Sequence, residues 1–259
     1  MTGGQVNDVT AAPSYREIVA RLAAAQKASR NAPAYSRWVN RPLGRRIAAA
    51  AYLRGLTPDQ VTGISACLTL VGLGFLVTVP PALWVGVVVS LALVLGYAFD
   101  SADGQLARLR GGGSPRGEWL DHVVDSAKNV SVHLAVLVAW FRFEGEQVGP
   151  WDGDSLLLVP LLFAIVSTVF FFAMTLTDQL RRLYGGKPTS TSAEAIAQKA
   201  PVMASLMTLP NDYGLLCVAF LLLGLPAVFA PVYALFLLAN VAFLAVGLRR
   251  WSRELRSKG

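Results

Sequence analysis

The sequence predicts an all-α integral membrane protein with six transmembrane helices and an amphipathic N-terminal helix at the membrane surface. Of its 259 residues, 54% are hydrophobic and only 15% are charged, and the mean hydropathy is +0.49. This composition excludes an ordinary water-soluble globule. Residues 60–99 carry no charge at all, which is enough for two helical crossings of a hydrocarbon core about 30 Å thick.

Prolines and charges divide the apolar sequence into six segments. Pro80 and Pro81 separate span one from span two, because proline interrupts a helix. Spans three and four are predicted at residues 117–143 and 155–177. The charge-free run 213–248 divides around residues 226–231 into spans five and six.

The distribution of basic residues predicts the orientation in a cell membrane. All of the 23 Lys and Arg residues except Lys128 and Arg142 lie before span one or after spans two, four and six. Since basic residues accumulate in cytoplasmic segments, both termini are expected on the cytoplasmic side. The net charge of +7 is then assigned to contact with anionic membrane lipids. No nucleic-acid partner is expected, because the aromatic and basic interleaving of an RNA-binding module is absent from the sequence.

Residues 1–58 are predicted to form a cytoplasmic arm with interfacial helices, residues 59–250 the six-helix domain, and residues 251–259 a basic tail. In the arm, Tyr15, Ile18, Val19 and Leu22 recur at helical spacing, which is typical of a helix lying on a membrane. The alternative is a solvated arm that only precedes span one. No signal peptide is evident, because the first residues contain no apolar segment.

Four aspartates lie at the cytoplasmic ends of spans two and three. At 100° per residue, Asp100 and Asp103 share one stripe of their helix, and Asp121 and Asp125 share a stripe of the next. The intervening LRGGGSPRG is predicted to end the helix and turn the chain back. The carboxylates therefore converge, and their mutual repulsion favours bound divalent cations. An all-oxygen set suits Mg²⁺ or Mn²⁺ better than zinc.

Other interpretations of the aspartates remain open at this point. The alternatives are structural ion pairs with Arg108, Arg110, Arg116 or Lys128, and a polar path for proton or cation transport. Four carboxylates at this spacing, with glycines among them, favour the metal site. His122 points about 100° away from the aspartate stripe and is expected to pack beside the site. His133 lies deeper in the span and is expected to make a structural hydrogen bond.

The motif resembles the signature D-x2-D-G-x2-A-R-x8-G-x3-D-x3-D of the CDP-alcohol phosphotransferase family. Its fixed positions are all present, at Asp100, Asp103, Gly104, Ala107, Arg108, Gly117, Asp121 and Asp125. The stretch 35–62 is also similar to the start of family members that make inositol-phosphate diesters. Those members carry a TPNQVT-like segment. In the corresponding segment of this sequence, Asp59 stands in place of the asparagine.

The resemblance implies transfer of a phosphoalcohol group, expected to be phosphatidyl, from a CDP-alcohol to an acceptor hydroxyl with release of CMP. It implies that Asp100, Asp103, Asp121 and Asp125 hold two Mg²⁺ or Mn²⁺ ions, and that Asp125 takes the acceptor's proton. Contacts to the nucleotide are expected from Thr62, Gly104, Ala107, Arg108 and Gly117. The resemblance also implies a homodimer, and small residues such as Gly63, Ala66 and Gly72 suit close helix packing.

The substrates are not decided by the motif, because it recognises only the CDP part. The donor is either CDP-diacylglycerol or a soluble CDP-polyol such as CDP-inositol, and the acceptor is a polyol or a polyol phosphate. We expect Arg181, Arg182 and Lys187 to bind an acceptor phosphate, with ordinary positive-inside bias as the alternative. The role of residues 185–201 stays open, and a cation transporter is the competing class of protein.

Overall fold

The computed structural model describes residues 13–24, 33–143, 153–184 and 211–256, and every regular element in these ranges is helical. In chain order the helices are α1 (Tyr15–Ala24), α2 (Arg41–Leu53, after a π-helical turn Ser36–Asn40), α3 (Pro58–Thr78), α4 (Leu83–Leu109), α5 (Pro115–Phe143), α6 (Gly153–Leu183), α7 (Tyr213–Ala219, continued by the 3-10 helix Phe220–Gly224) and α8 (Pro226–Arg256). The predicted all-α class is confirmed.

Five of these helices, α3, α4, α5, α6 and α8, are long and apolar enough to cross a membrane. The segment of the expected fifth span is helical from Tyr213, where Asp212 caps α7 by accepting a hydrogen bond from the Gly214 N–H, but it is shorter than these five helices. The apolar helix there extends over Tyr213–Gly224. At 1.5 Å per residue, the seven α-helical residues of this segment cover about 10 Å. Six crossings and cytoplasmic termini stay predictions.

Large apolar side chains cover the outside of the helical assembly. Leu70, Trp84, Phe141, Phe172 and Leu235 lie on five different helices and are each exposed by more than half of their surface. In water such a surface would be an association site. On long apolar helices it is instead the surface expected to contact lipid tails.

An aromatic core lies toward the ends of α4 and α5 farthest from the aspartates. Trp140, Phe163, Phe220, Phe229 and Tyr233 are all buried there. Ring centroids of Tyr233 lie 5.2 Å from Phe163 and 5.6 Å from Trp140. This packing fixes the far halves of the helices and leaves their other ends to form the polar site.

Helix α1 forms where the hydrophobic spacing predicts it, but its apolar face is not left for the membrane. Ile18 and Leu22 are 1% and 2% exposed and pack with Ala48 of α2 and Leu106 of α4. The expectation of a helix lying on the lipid surface is therefore corrected for these two residues. Their apolar area is removed from water by the protein itself, which anchors α1 to the end of α4 that carries the aspartates.

Candidate active site

A glycine turn brings the ends of α4 and α5 to the same end of the molecule. Gly111 and Gly112 have φ angles of 98° and 126°, in the left-handed region that favours glycine. Pro115 then starts α5, as proline suits the first turn of a helix. Helix α3 packs against both α4 and α5, so the aspartates of the two helices face a gap beside α3.

Three of the four motif aspartates converge in this gap. Asp100, Asp121 and Asp125 each offer a carboxylate oxygen, and these oxygens all lie within 4.8 Å of one another. Asp103 is held separately and is only 5% exposed. Its Oδ2 accepts a hydrogen bond of 2.6 Å from Thr62 Oγ1, and its Oδ1 accepts one from the Gly104 N–H.

The donor set of this cluster fits a hard divalent cation. Its three members are carboxylates, and in the described part of the chain no His or Cys belongs to the cluster. His122 lies beside it, with Nε2 3.8 Å from Glu118 Oε1 and its ring edge against Phe171. An all-oxygen site of this kind suits Mg²⁺ or Mn²⁺. His133, as expected, makes a structural hydrogen bond of 2.6 Å to the Tyr233 hydroxyl.

Lys128 also belongs to the site, and the motif does not contain it. Its ammonium contacts Asp100 Oδ1, lies 2.7 Å from Asp125 Oδ1 and donates to Ser65 Oγ at 3.3 Å. The side chain is 13% exposed. The signal available in the sequence was a basic residue in the body of an apolar span, which is costly without a partner. Sequence reasoning counted it only as a possible ion-pair partner.

An outer cavity of about 610 Å³ opens on the helix-end side of the cluster. We define it by Thr62, Asp103, Gly104, Arg108, Gly117 and Asp121, all of which line it. Ala107 lines it too, so the structure brings together every residue expected to contact the nucleotide. Asp59, which replaces the asparagine of the family's TPNQVT-like segment, lies in the same wall, and its carboxylate is 3.9 Å from the Arg116 guanidinium.

Two glycines leave the helix backbone open to the outer cavity. A Cβ atom added at Gly104 would meet only Arg108 Nη1, at 3.5 Å. One added at Gly117 would meet Ser114 Oγ at 3.2 Å and Asp59 Oδ1 at 3.6 Å. Packing between helices therefore does not explain glycine at position 104, whereas close approach of a ligand does.

Of the three basic residues expected to bind an acceptor phosphate, the two described ones, Arg181 and Arg182, have different acidic partners. Arg181 donates through Nε and Nη2 to Glu254 at 2.8 and 2.6 Å, and also pairs with Asp178. Arg182 pairs with Glu118 and lines the outer cavity. Lys187 lies outside the described residues. Arg181 thus links α6 to α8, and Arg182 links α6 to α5.

An inner cavity of about 240 Å³ lies on the other side of the cluster along the helix axes. We define it by Tyr97, Asn129, His133, Ser167, Asp212 and Asn240, which line it. The Asp212 carboxylate accepts hydrogen bonds from the N–H groups of Tyr35 at 2.8 Å, Ser36 at 3.3 Å and Gly214 at 3.1 Å. Burial raises the pKa of Asp212, and these three N–H groups oppose that shift.

The fold and the site together define a class of protein. It is a helical protein with an apolar outer surface, and its carboxylate cluster and adjoining cavity suit metal-assisted chemistry on a phosphate. The comparison with families then specifies it. The model of the CDP-alcohol phosphatidyltransferase family matches residues 55–247, and the chain belongs to this family. Membership confirms the resemblance carried by the motif.

Two curated relatives are phosphatidylinositol phosphate synthases. The one from Mycobacteroides abscessus is 36% identical over 131 residues, which are 48% of this chain and 52% of the relative. The one from Mycolicibacterium smegmatis is 32% identical over 130 residues, 50% of this chain and 54% of the relative. The matched region therefore spans about half the length of these curated relatives.

A solved structure shares the fold. It is the crystal structure of phosphatidylinositol phosphate synthase from Mycobacterium tuberculosis in complex with manganese and citrate. The likeness has a TM-score of 0.50 with 20% identity and covers 79% of this chain and 87% of that chain. At this identity the likeness concerns the arrangement of helices.

Proposed function

We propose that the protein transfers a phosphatidyl group from a CDP-alcohol to an acceptor hydroxyl and releases CMP. One observation carries the proposal: the oxygens of Asp100, Asp121 and Asp125 lie within 4.8 Å of one another at a cavity of about 610 Å³ that the motif's other residues line. The cavity binds the CDP part of the donor, and the carboxylate cluster lies where its pyrophosphate is placed.

The residues of the outer cavity have separate tasks in donor binding. Gly104 and Gly117 let the nucleotide approach the helix backbone, since a side chain at either position would occupy that space. Arg108 lines the cavity and supplies a guanidinium for a phosphate oxygen. Thr62 donates to Asp103, which leaves that buried carboxylate in one orientation.

The reaction is a substitution at phosphorus. The acceptor oxygen forms a bond to the phosphorus that carries the diacylglycerol, and the bond from that phosphorus to the CMP oxygen breaks. CMP leaves with the electron pair of the broken bond, and the acceptor's proton passes to the Asp125 carboxylate. Two Mg²⁺ or Mn²⁺ ions held by Asp100, Asp103, Asp121 and Asp125 would neutralise the charge of the pyrophosphate and of the leaving CMP. The manganese in the Mycobacterium tuberculosis structure supports this choice of metal.

The proposed location is a cell membrane crossed several times, with the active site on the cytoplasmic side. The aspartates lie at the ends of α4 and α5 next to Arg108, Arg110 and Arg116, and basic residues of this kind mark the cytoplasmic face. Five helices of sufficient length and apolarity support a multi-pass protein. We also propose that the protein is a homodimer, as the family resemblance implies.

The names of the relatives favour a lipid donor over a soluble one. Both relatives are named for a phosphatidyl product, and CDP-diacylglycerol supplies the phosphatidyl group. The apolar outer surface of α4 and α5, including Leu91 and Trp119, is exposed and suits acyl chains. A soluble CDP-polyol donor such as CDP-inositol is the alternative that the experiment distinguishes.

The test is CMP release by the full-length purified protein in lipid nanodiscs with Mn²⁺ or Mg²⁺. CDP-diacylglycerol and CDP-inositol are supplied in parallel, each with a panel of polyols and polyol phosphates. Asp125→Asn is expected to lower kcat at least 100-fold, in the range of a lost general base. Asp178→Asn is the matched control, because Asp178 pairs with Arg181 outside both cavities. Metal-independent CMP release, or full activity of Asp125→Asn, would reject the proposal.

A further inference from the structure

The inner and outer cavities lie on opposite sides of the same carboxylate cluster. On α4, Tyr97 of the inner cavity precedes Asp100 by about one turn, and Gly104 of the outer cavity follows it by about one turn. On α5 the order is reversed: Asp121 of the outer cavity comes before Asp125, and Asn129 of the inner cavity comes after it. Asp100 and Asp125 therefore separate the two spaces along both helices.

This arrangement assigns the second substrate to the inner cavity. In substitution at a phosphoryl group, the attacking and leaving oxygens lie roughly in line on opposite sides of the phosphorus. With the CDP part in the outer cavity, the acceptor hydroxyl has to approach from the inner side. Asn129 lies one helical turn from Asp125 on the same face of α5, so an alcohol bound at Asn129 reaches the proposed base.

We propose that the inner cavity binds the acceptor and selects an alcohol that carries no phosphate and no net negative charge. The proposal rests on the proposed transfer reaction, because it names the class of that reaction's second substrate. Two independent features of the cavity support it: the chemistry of its lining and its size.

The lining offers neutral hydrogen-bonding groups and a carboxylate. Among the described residues that form it, the amides are Asn129, Asn211 and Asn240, and the only acidic side chain is that of Asp212. No Lys or Arg lines this cavity in the described part of the chain. A phosphate placed there would lie beside Asp212 without a cation to pair with, which is costly in a partly buried space. Amides and hydroxyls suit the hydroxyl groups of a neutral alcohol.

Lys128 and Arg181, two basic side chains on helices that line the inner cavity, have acidic partners. Lys128, next to Asn129 in the chain, contacts Asp100 and Asp125. Arg181 is held by Glu254 and Asp178. A further guanidinium, that of Arg41, interacts electrostatically with Tyr97 but lines neither cavity.

The size and the aromatic walls narrow the class of acceptor further. At about 240 Å³ the inner cavity is below the range of about 300–1,000 Å³ typical for drug-sized ligands, so it fits a small alcohol. Phe163, Phe170 and Phe171 supply aromatic faces, which accept the C–H surface of a polyol or the cation of an amino alcohol. Both of these share the proposed chemistry, an unphosphorylated alcohol without negative charge.

The proposal separates this protein from the relatives that it resembles. Those relatives are named for phosphatidylinositol phosphate, a product with a phosphate on its headgroup. We expect the product here to lack that phosphate.

The experiment compares acceptors that differ only by a phosphate. CMP release from CDP-diacylglycerol is measured in Mn²⁺-loaded nanodiscs with inositol against inositol 1-phosphate and with glycerol against glycerol 3-phosphate. Ethanolamine and choline form a third arm for cationic alcohols. We expect kcat/KM at least tenfold higher for an unphosphorylated or cationic alcohol than for any phosphorylated acceptor. Equal or higher kcat/KM with a phosphorylated acceptor would overturn the inference while leaving the transfer reaction intact. Absence of CMP release from folded protein with every acceptor and with either CDP-alcohol donor would reject the transfer reaction and the inference with it.

Variants of the inner cavity provide the second readout. Asn129→Leu removes an amide from the lining, and we expect it to raise the KM of the acceptor about tenfold with an unchanged KM for CDP-diacylglycerol. Ala127→Leu, on the exposed side of α5, is the matched control and should change neither. Asn240→Arg adds a cation and is expected to shift the preference toward the phosphorylated member of each pair. If Asn129→Leu changed only the KM of the donor, the inner cavity would not be the acceptor site.

Discussion

The ammonium nitrogen of Lys128 lies 2.7 Å from Asp125 Oδ1. The same ammonium contacts Asp100 Oδ1, so one cation joins the first and the last aspartate of the motif across the gap between α4 and α5. Three carboxylates at this separation repel one another, and the lysine offsets part of that repulsion. Lys128 is therefore expected to stabilise the cluster most when no divalent ion is bound.

Replacing Lys128 by Met is expected to lower the Tm of the protein in EDTA, because it leaves the half-buried carboxylates of Asp100 and Asp125 without their cation. Loss of one partner of a buried ion pair costs about 3–5 kcal/mol. Addition of Mn²⁺ should raise the Tm of Lys128→Met more than that of the unaltered protein. Thermal unfolding in detergent measures both Tm values. Arg142→Met at the far end of α5 is the control, since Arg142 lies over Phe143. Equal Mn²⁺ shifts in the variant and the unaltered protein would contradict the stabilising role.

Replacing Thr62 by Val is expected to weaken metal binding without removing any of the proposed ligands. The Thr62 hydroxyl donates to Asp103 Oδ2 at 2.6 Å, and partners of this kind contribute about 10–100-fold to metal affinity. Titration with Mn²⁺ followed by electron paramagnetic resonance measures the dissociation constant. Thr69→Val on the same helix is the matched control, because Thr69 donates to the Ser65 carbonyl. If both variants bind Mn²⁺ as the unaltered protein does, Thr62 has no such role.

Local spacing predicted the aspartate stripes and the glycine turn well, because both depend on residues close in the chain. The end of α4 at Leu109 and the start of α5 at Pro115 were predictable, because glycine and proline interrupt helices. The cavity-lining glycines were likewise expected from the family motif.

Tertiary partners of long side chains were not predictable in the same way. Arg181 and Glu254 are far apart in the chain and meet only because the ends of α6 and α8 lie together. The Lys128 ammonium reaches Asp100 through a choice of side-chain rotamer that helical spacing alone does not determine. The surface against which α1 packs was also not predictable, since an apolar stripe at helical spacing does not distinguish a lipid surface from a protein surface.

Replacing Gly104 by Ala is expected to keep the fold and obstruct the donor. The added methyl would meet only Arg108 Nη1 at 3.5 Å, and alanine favours a helix over glycine by about 1 kcal/mol. The Tm should therefore stay the same or rise, while the KM for the CDP-alcohol rises at least tenfold in a CMP-release assay. Gly63→Ala on α3 is the control, because nothing lies within 4 Å of its added Cβ. An unchanged donor KM would mean that the nucleotide does not approach the backbone at position 104.

Separate alanine variants of Arg181 and Arg182 distinguish structural pairing from phosphate binding. Arg181 makes two hydrogen bonds to Glu254 with a side chain that is 17% exposed, so Arg181→Ala is expected to lower the Tm, and Glu254→Ala to lower it through the same contact. A double-mutant cycle should then show a coupling energy of about 0.5–3 kcal/mol.

Arg182 lines the outer cavity, so Arg182→Ala is expected to raise the KM of the CDP-alcohol while the acceptor KM stays the same. Steady-state CMP release with each substrate varied in turn measures both constants. A tenfold rise in acceptor KM in either arginine variant, with the Tm unchanged, would instead support the phosphate-binding role expected from the sequence. It would also contradict the proposal that the acceptor carries no phosphate, because an arginine forms no ion pair with an uncharged alcohol.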